Sequence, residues 1–199
     1  MEYTYDKFYD VNILQKVALH NKVDNNTFII KLYGITQDPE SKNYMMVLEY
    51  AESGSLRDFL KENNKLDLKI KINYLYNIAS GLENIHGNEI IHRDLLYGVL
   101  PYIAPEILRG QSYTKASDIY TTKICLGLRP RFNTIKVPQL IVHLIKRCLD
   151  AHSLNRPTAL KLEINYGNLS MTTLQKLVYL KNMSKYDRHI TFVFLLSLL

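Results

Sequence analysis

The chain has 199 residues, 47% of them apolar, and a formal net charge of +6. That is enough apolar chain for one folded domain and argues against disorder as the default. The charge is uneven: residues 1–99 carry 11 Lys/Arg against 14 Asp/Glu, net −3, and residues 100–199 carry 14 against 5, net +9. A basic half can attract acidic partners, but no Lys/Arg run with interleaved aromatics occurs, so a scattered solvated face accounts for the excess and nucleic acid is not an expected partner. Cys125 and Cys148 form no Cys-x-x-Cys pair, which argues against a disulfide framework or a structural zinc site and suits a reducing compartment. The first residues, MEYTYDKFYDVN, are polar and acidic and do not read as a signal peptide, so the chain is expected in the cytosol or nucleus and not secreted.

In chain order, Val11, Leu14, Val17, Leu19 and Val23 recur at helical spacing and predict an amphipathic helix that ends at Asp24-Asn25-Asn26. FIIKLYGITQDPESKNYMMVLEY follows, two apolar runs rich in β-branched and aromatic residues around a polar DPESKN turn. This predicts a hairpin. Gly54-Ser55-Leu56 opens a short helix with Ser53 or Ser55 as N-cap. Over residues 66–87, Ile72, Leu75, Ile78, Ala79, Leu82 and Ile85 keep a 3.6 repeat for nearly four turns, which predicts a core helix stopped by a left-handed Gly87. Next comes IIHRDL, residues 90–95, two β-branched residues running into His92-Arg93-Asp94. Tyr102-Ile103-Ala104-Pro105-Glu106, SYTKASDIY, and a helical face of Leu140, Leu144, Ile145 and Cys148 before Asn155-Arg156-Pro157 complete the readable text. The end, ITFVFLLSLL, is apolar but roughly half the ~20 residues a bilayer-spanning helix needs, so packing or plain disorder is expected before membrane anchoring. The histidines other than His92 look solitary and none is assigned to a metal.

Taken together, IIHRDL, YIAPE and NRP, in this order from about residue 11 to 163, resemble a protein kinase domain. The resemblance implies an α+β, mostly helical fold: a truncated protein-kinase-like fold with a small lobe reduced to one helix plus hairpin (1–51), an incomplete helical large lobe (52–163), and an unassigned tail (164–199). It implies that Asp94 corresponds to the carboxylate that accepts the substrate hydroxyl proton, within a loop motif completed by Arg93 and His92. Leu48 would sit at the back of the adenine pocket, with Glu49 and Ala51 offering hinge backbone groups to the adenine edge. Asp118 would anchor the backbone around His92-Arg93-Asp94, and Arg156 would pair with Glu106. ATP and magnesium are the cofactors the family implies.

The chain departs from the family pattern where that pattern holds phosphates. No glycine occurs before Gly34, Lys16 stands where a Glu should pair with the phosphate lysine, and Val99 stands at the metal-binding Asn. No Asp-Phe-Gly occurs, and Ala104 follows Asp94 by only ten positions. Phosphoryl transfer depends mostly on positioning and charge neutralisation, and base assistance contributes about 10²–10⁴-fold. Asp94 alone therefore reads as a vestigial base, no residue reads as a metal ligand, and ATP binding is expected to be weak or absent. The expectation is a catalytically silent kinase-like fragment that binds protein, another kinase or a scaffold. The alternative is an active Ser/Thr or Tyr kinase whose missing segments were lost by splicing or gene-model error. A hairpin without neighbouring strands has a free edge and an uncovered apolar face, so the molecule is expected to be weakly stable or dependent on a partner.

Overall fold

The computed structural model describes residues 17–23, 28–50, 68–93, 103–122 and 139–170. Residues 17–23 are helical; the earlier part of the expected helix, Val11 and Leu14, lies outside the described residues. The inward face is His20 and Val23, while Leu19, expected to face the core, is 43% exposed. His20 is accommodated because its Nε2 lies 2.7 Å from the Ile30 carbonyl, which ties this helix to the entry of the hairpin.

The hairpin forms from β1 (Leu32–Gln37) and β2 (Tyr44–Leu48), antiparallel, with Gln37 opposite Tyr44 and Leu32 opposite Leu48. Polar chemistry closes it: the Asp38 side chain accepts from the Ser41 hydroxyl and from the Glu40 N–H at 3.0 Å, and Lys42 turns the chain at φ +60°. The register slips between Leu32 and Gly34, a bulge that glycine accommodates at φ +155°. Only the base of the hairpin reaches the core, through Phe28, Ile29 and Ile30 and the half-buried Leu48.

α1 (Leu68–Gly87) is the central element. Every residue of its expected stripe is buried, Ile78, Leu82 and Ile85 with no measurable exposure. It ends at Gly87 as expected, but the turn that caps it differs. The left-handed residue is Glu89 (φ +57°), not Gly87: Ile90 N–H donates to Ile85 O and Glu89 N–H to His86 O, both at 3.1 Å. This cap buries Ile90 in the core cluster, the hydrophobic contact that commonly accompanies such a turn.

α2 (Pro105–Leu108) starts on a proline whose missing N–H is no loss at the first turn. α3 (Lys115–Thr122) is capped by Thr114, whose hydroxyl accepts from Ser117 N–H at 3.3 Å. α4 (Gln139–Cys148) buries Ile141, Leu144, Ile145 and Cys148. Leu140, expected on that face, is 44% exposed, since the spacing 141–144–145–148 makes the better stripe. After a 3₁₀ turn at Ser153–Asn155, α5 (Ala159–Ser170) packs along α1 with Ala159, Leu162 and Tyr166 buried, continuing past residue 163 into the same core. Among the described residues no helix is long and apolar enough to cross a membrane.

Candidate functional site

Ile90 and Ile91 carry the chain from the α1 cap into His92, whose ring is buried. The turn that follows is fixed by Asp118, itself 2% exposed in the first turn of α3. One carboxylate oxygen accepts from His92 N–H at 2.8 Å, and the other from Arg93 N–H at 3.0 Å. A third donor is His86, whose Nε2 lies 2.9 Å from Asp118 Oδ2, so this nitrogen carries the proton. Arg93 adopts φ +69°. A left-handed non-glycine residue costs about 1–2 kcal/mol. A hydrogen bond to a charged group contributes about 1.5–3 kcal/mol, so two of them from Asp118 outweigh the strain. The backbone at His92 and Arg93 is thereby fixed; the next residue, Asp94, lies outside the described residues.

A second buried carboxylate, Glu106, stands in α2. Arg156 grips it with two parallel bonds, Nη1 to Oε1 at 2.6 Å and Nη2 to Oε2 at 2.7 Å, a fork geometry that suits guanidinium and carboxylate. Ser117 Oγ donates to the same Oε1 at 3.0 Å. Arg156 makes two further bonds, Nε to Asp150 O and Nη1 to Ala116 O, both at 2.9 Å, and the guanidinium sits 4.9 Å over the Tyr120 ring. Burial pushes the Glu106 carboxyl up, but the Arg156 hydrogen bonds and charge, with Ser117, outweigh it and hold the carboxyl below its ordinary range. This pair joins α2, α3 and the segment before α5 across fifty residues of chain.

The structure thus brings Asp118 to His92 and Arg93, and Glu106 to Arg156. Ser117, next to Asp118, bonds Glu106, so one turn of α3 serves both carboxylates. Of the adenine-side residues, Leu48 is half-buried and packs against the core, and Glu49 donates its N–H to Lys31 O at 2.8 Å. Ala51, Lys16 and Val99 lie outside the described residues, as does Cys125.

Sequence reasoning missed three contributors: His86, Ser117 and Tyr120. His86 looked solitary because its partner is 32 positions away; the one local hint is its place directly after Ile85 on the buried side of α1. Ser117 and Tyr120 flank Asp118 and carry no signal of their own.

A family model described as "Protein tyrosine and serine/threonine kinase" matches residues 3–98. Similar curated proteins include a probable serine/threonine-protein kinase of Dictyostelium discoideum, 27% identical over 169 residues, covering 83% of this chain and 31% of that protein. Spermatocyte protein spe-8 of Caenorhabditis elegans is 31% identical over 126 residues, 47% of this chain and 24% of its own. Serine/threonine-protein kinase PKH2 of Saccharomyces cerevisiae is 32% identical over 128 residues, 63% of this chain and 10% of its own. The chain therefore spans between a tenth and a third of the length of these relatives.

Proposed function

From the premise that this chain carries a protein kinase superfamily domain, we propose that it is a catalytically silent member that acts by binding protein. The observation that carries this reading is internal to the chain. Ten positions after Asp94 the text has already reached Ala104, Val99 stands at the metal-binding position, and no Asp-Phe-Gly follows. Neutralising a triphosphate needs metal ions and a lysine in fixed places, and a lone carboxylate adds negative charge where positive charge is required. What is kept is framework: Asp118 setting the backbone at His92 and Arg93, and the Glu106–Arg156 fork. Such a framework presents helices and a hinge strand to another protein, a second kinase or a scaffold, without performing transfer.

If ATP and magnesium bind, the adenine edge would meet the backbone at Glu49 and Ala51 in front of Leu48, and Asp94 would orient a hydroxyl. Purified chain incubated with γ-labelled ATP, magnesium and a mixed protein substrate is expected to transfer no label above the Asp94→Asn variant. Transfer that disappears in that variant overturns the silent reading. The second reading, an active protein kinase with further segments, rests on the greater length of the relatives and their names. Intact mass of the protein isolated from its source separates the two, a species tens of residues longer favouring the enzyme.

A further inference from the structure

The hairpin has two outer edges, and they are not equivalent. That of β1 is broken by the bulge between Leu32 and Gly34, a feature that bends a strand away from further pairing. β2, Tyr44-Met45-Met46-Val47-Leu48, has neither bulge, proline nor charged side chain, the devices by which edges are normally closed to other strands. Asn43 O accepts from Asp38 N–H at 2.9 Å, and Glu49 N–H donates to Lys31 O at 2.8 Å. The backbones of Asn43 and Glu49 therefore face β1, and by the alternation of an antiparallel ladder so do Met45 and Val47. Tyr44, Met46 and Leu48 turn their N–H and C=O groups to the open side, and among the described residues no third strand meets them.

We infer that the open edge of β2 pairs antiparallel with the β2 edge of a second copy of this chain, about a twofold axis at Met46. In that register Met46 faces Met46 of the partner subunit and exchanges two hydrogen bonds with it. Tyr44 faces the partner's Leu48, again as a hydrogen-bonded pair, and Met45 faces the partner's Val47. Every outward donor thus meets an acceptor, and every apolar side chain meets another, with no charge opposite any position. A strand from an unrelated protein would also satisfy the backbone, but this edge is complementary to itself. Tyr33, Ile35, Tyr44, Met45 and Val47, each 40–62% exposed, supply apolar surface beside the new ladder. That surface is roughly 400 Å² per copy, against about 800 Å² in a standard interface, so the dimer is weak and dependent on concentration. The inference shares only Leu48 with the adenine-side residues, and its test reads mass rather than nucleotide binding or transfer.

Sedimentation equilibrium of the full chain over a wide concentration series tests it. The average mass is expected to rise from 23.2 kDa toward twice that value. Met45→Lys with Val47→Lys sets ammonium against ammonium at both crossings and should weaken association at least tenfold. Met45→Lys with Val47→Glu sets each new ammonium opposite the partner's new carboxylate and should restore association. Both side chains are more than 40% exposed, so both double variants keep the fold, and they differ only in the sign of one charge. Three results overturn the inference: a wild-type chain that stays at 23.2 kDa throughout, a double-lysine variant that associates like wild type, or loss in both variants alike.

Discussion

Two regions of this molecule handle polar groups in opposite ways. Around α3, two buried carboxylates gather donors from four parts of the chain, and each donor is placed by its partner: Asp118 takes His86, His92 and Arg93, and Glu106 takes Ser117 and Arg156. In the hairpin, away from its base at Leu48, the outer edge of β2 and apolar side chains alike face outward, and the side-chain hydrogen bonds cluster in the Asp38–Asn43 turn. The difference separates what a domain builds for itself from what it leaves for a neighbour. Buried ionic networks make the fold specific while adding little net stability, whereas an open strand adds specificity only when something pairs with it.

The sharpest way to break the first region is Arg156→Ala, which leaves Glu106 buried without its cation. Urea unfolding should show a loss of about 3–5 kcal/mol, while Glu106→Leu with Arg156→Met, which removes both charges together, should cost far less. Asp118→Asn keeps the shape but turns one acceptor oxygen into a donor facing donors. A loss of about 1–3 kcal/mol is expected, with faster amide exchange at His92 and Arg93 than elsewhere in the loop.

Acid provides a milder version of the same break. Because the folded Glu106 carboxyl lies below its ordinary value of 4.5, the pair contributes stability above that pH and loses it as pH falls through the folded value. Stability measured across this range should therefore decline below about pH 4.5, and Arg156→Ala should flatten that part of the slope. The smallest effect belongs to the other region. Val47→Thr, on the exposed strand, should change stability by no more than about 0.5 kcal/mol.

How much of this was legible in the sequence follows the same divide. The α1 stripe could be read residue by residue because burial and helical period coincide over 20 residues. The hairpin could be read because its turn residues are chemically explicit. The α4 stripe was displaced by one position at its start, since Leu140 and Ile141 both lie four or three residues before Leu144 and only tertiary packing chooses between them. α1 ends at Gly87 as its sequence suggests, yet the left-handed residue is Glu89, because Ile90 beyond it is buried. Leu19, expected on the inner face, gives way to His20 for a similar reason: a carbonyl ten residues on gives the buried ring a partner. The Asp118 and Glu106 networks span 11 to 50 positions, and no local pattern announces them. Family resemblance pointed to some of their members, and His86, Ser117 and Tyr120 became visible only in three dimensions.

The central proposal is that this chain keeps the backbone anchors of a kinase-like framework without the groups that hold a triphosphate. Thermal unfolding with ATP, with and without magnesium, measures this directly. A nucleotide at about 100 times its dissociation constant adds about 2.7 kcal/mol, which in a chain of this size raises the melting temperature by roughly 5–10 °C. The predicted result is the same melting temperature without nucleotide, with ATP alone and with ATP plus magnesium; a rise of that order that appears only when magnesium is present contradicts the proposal.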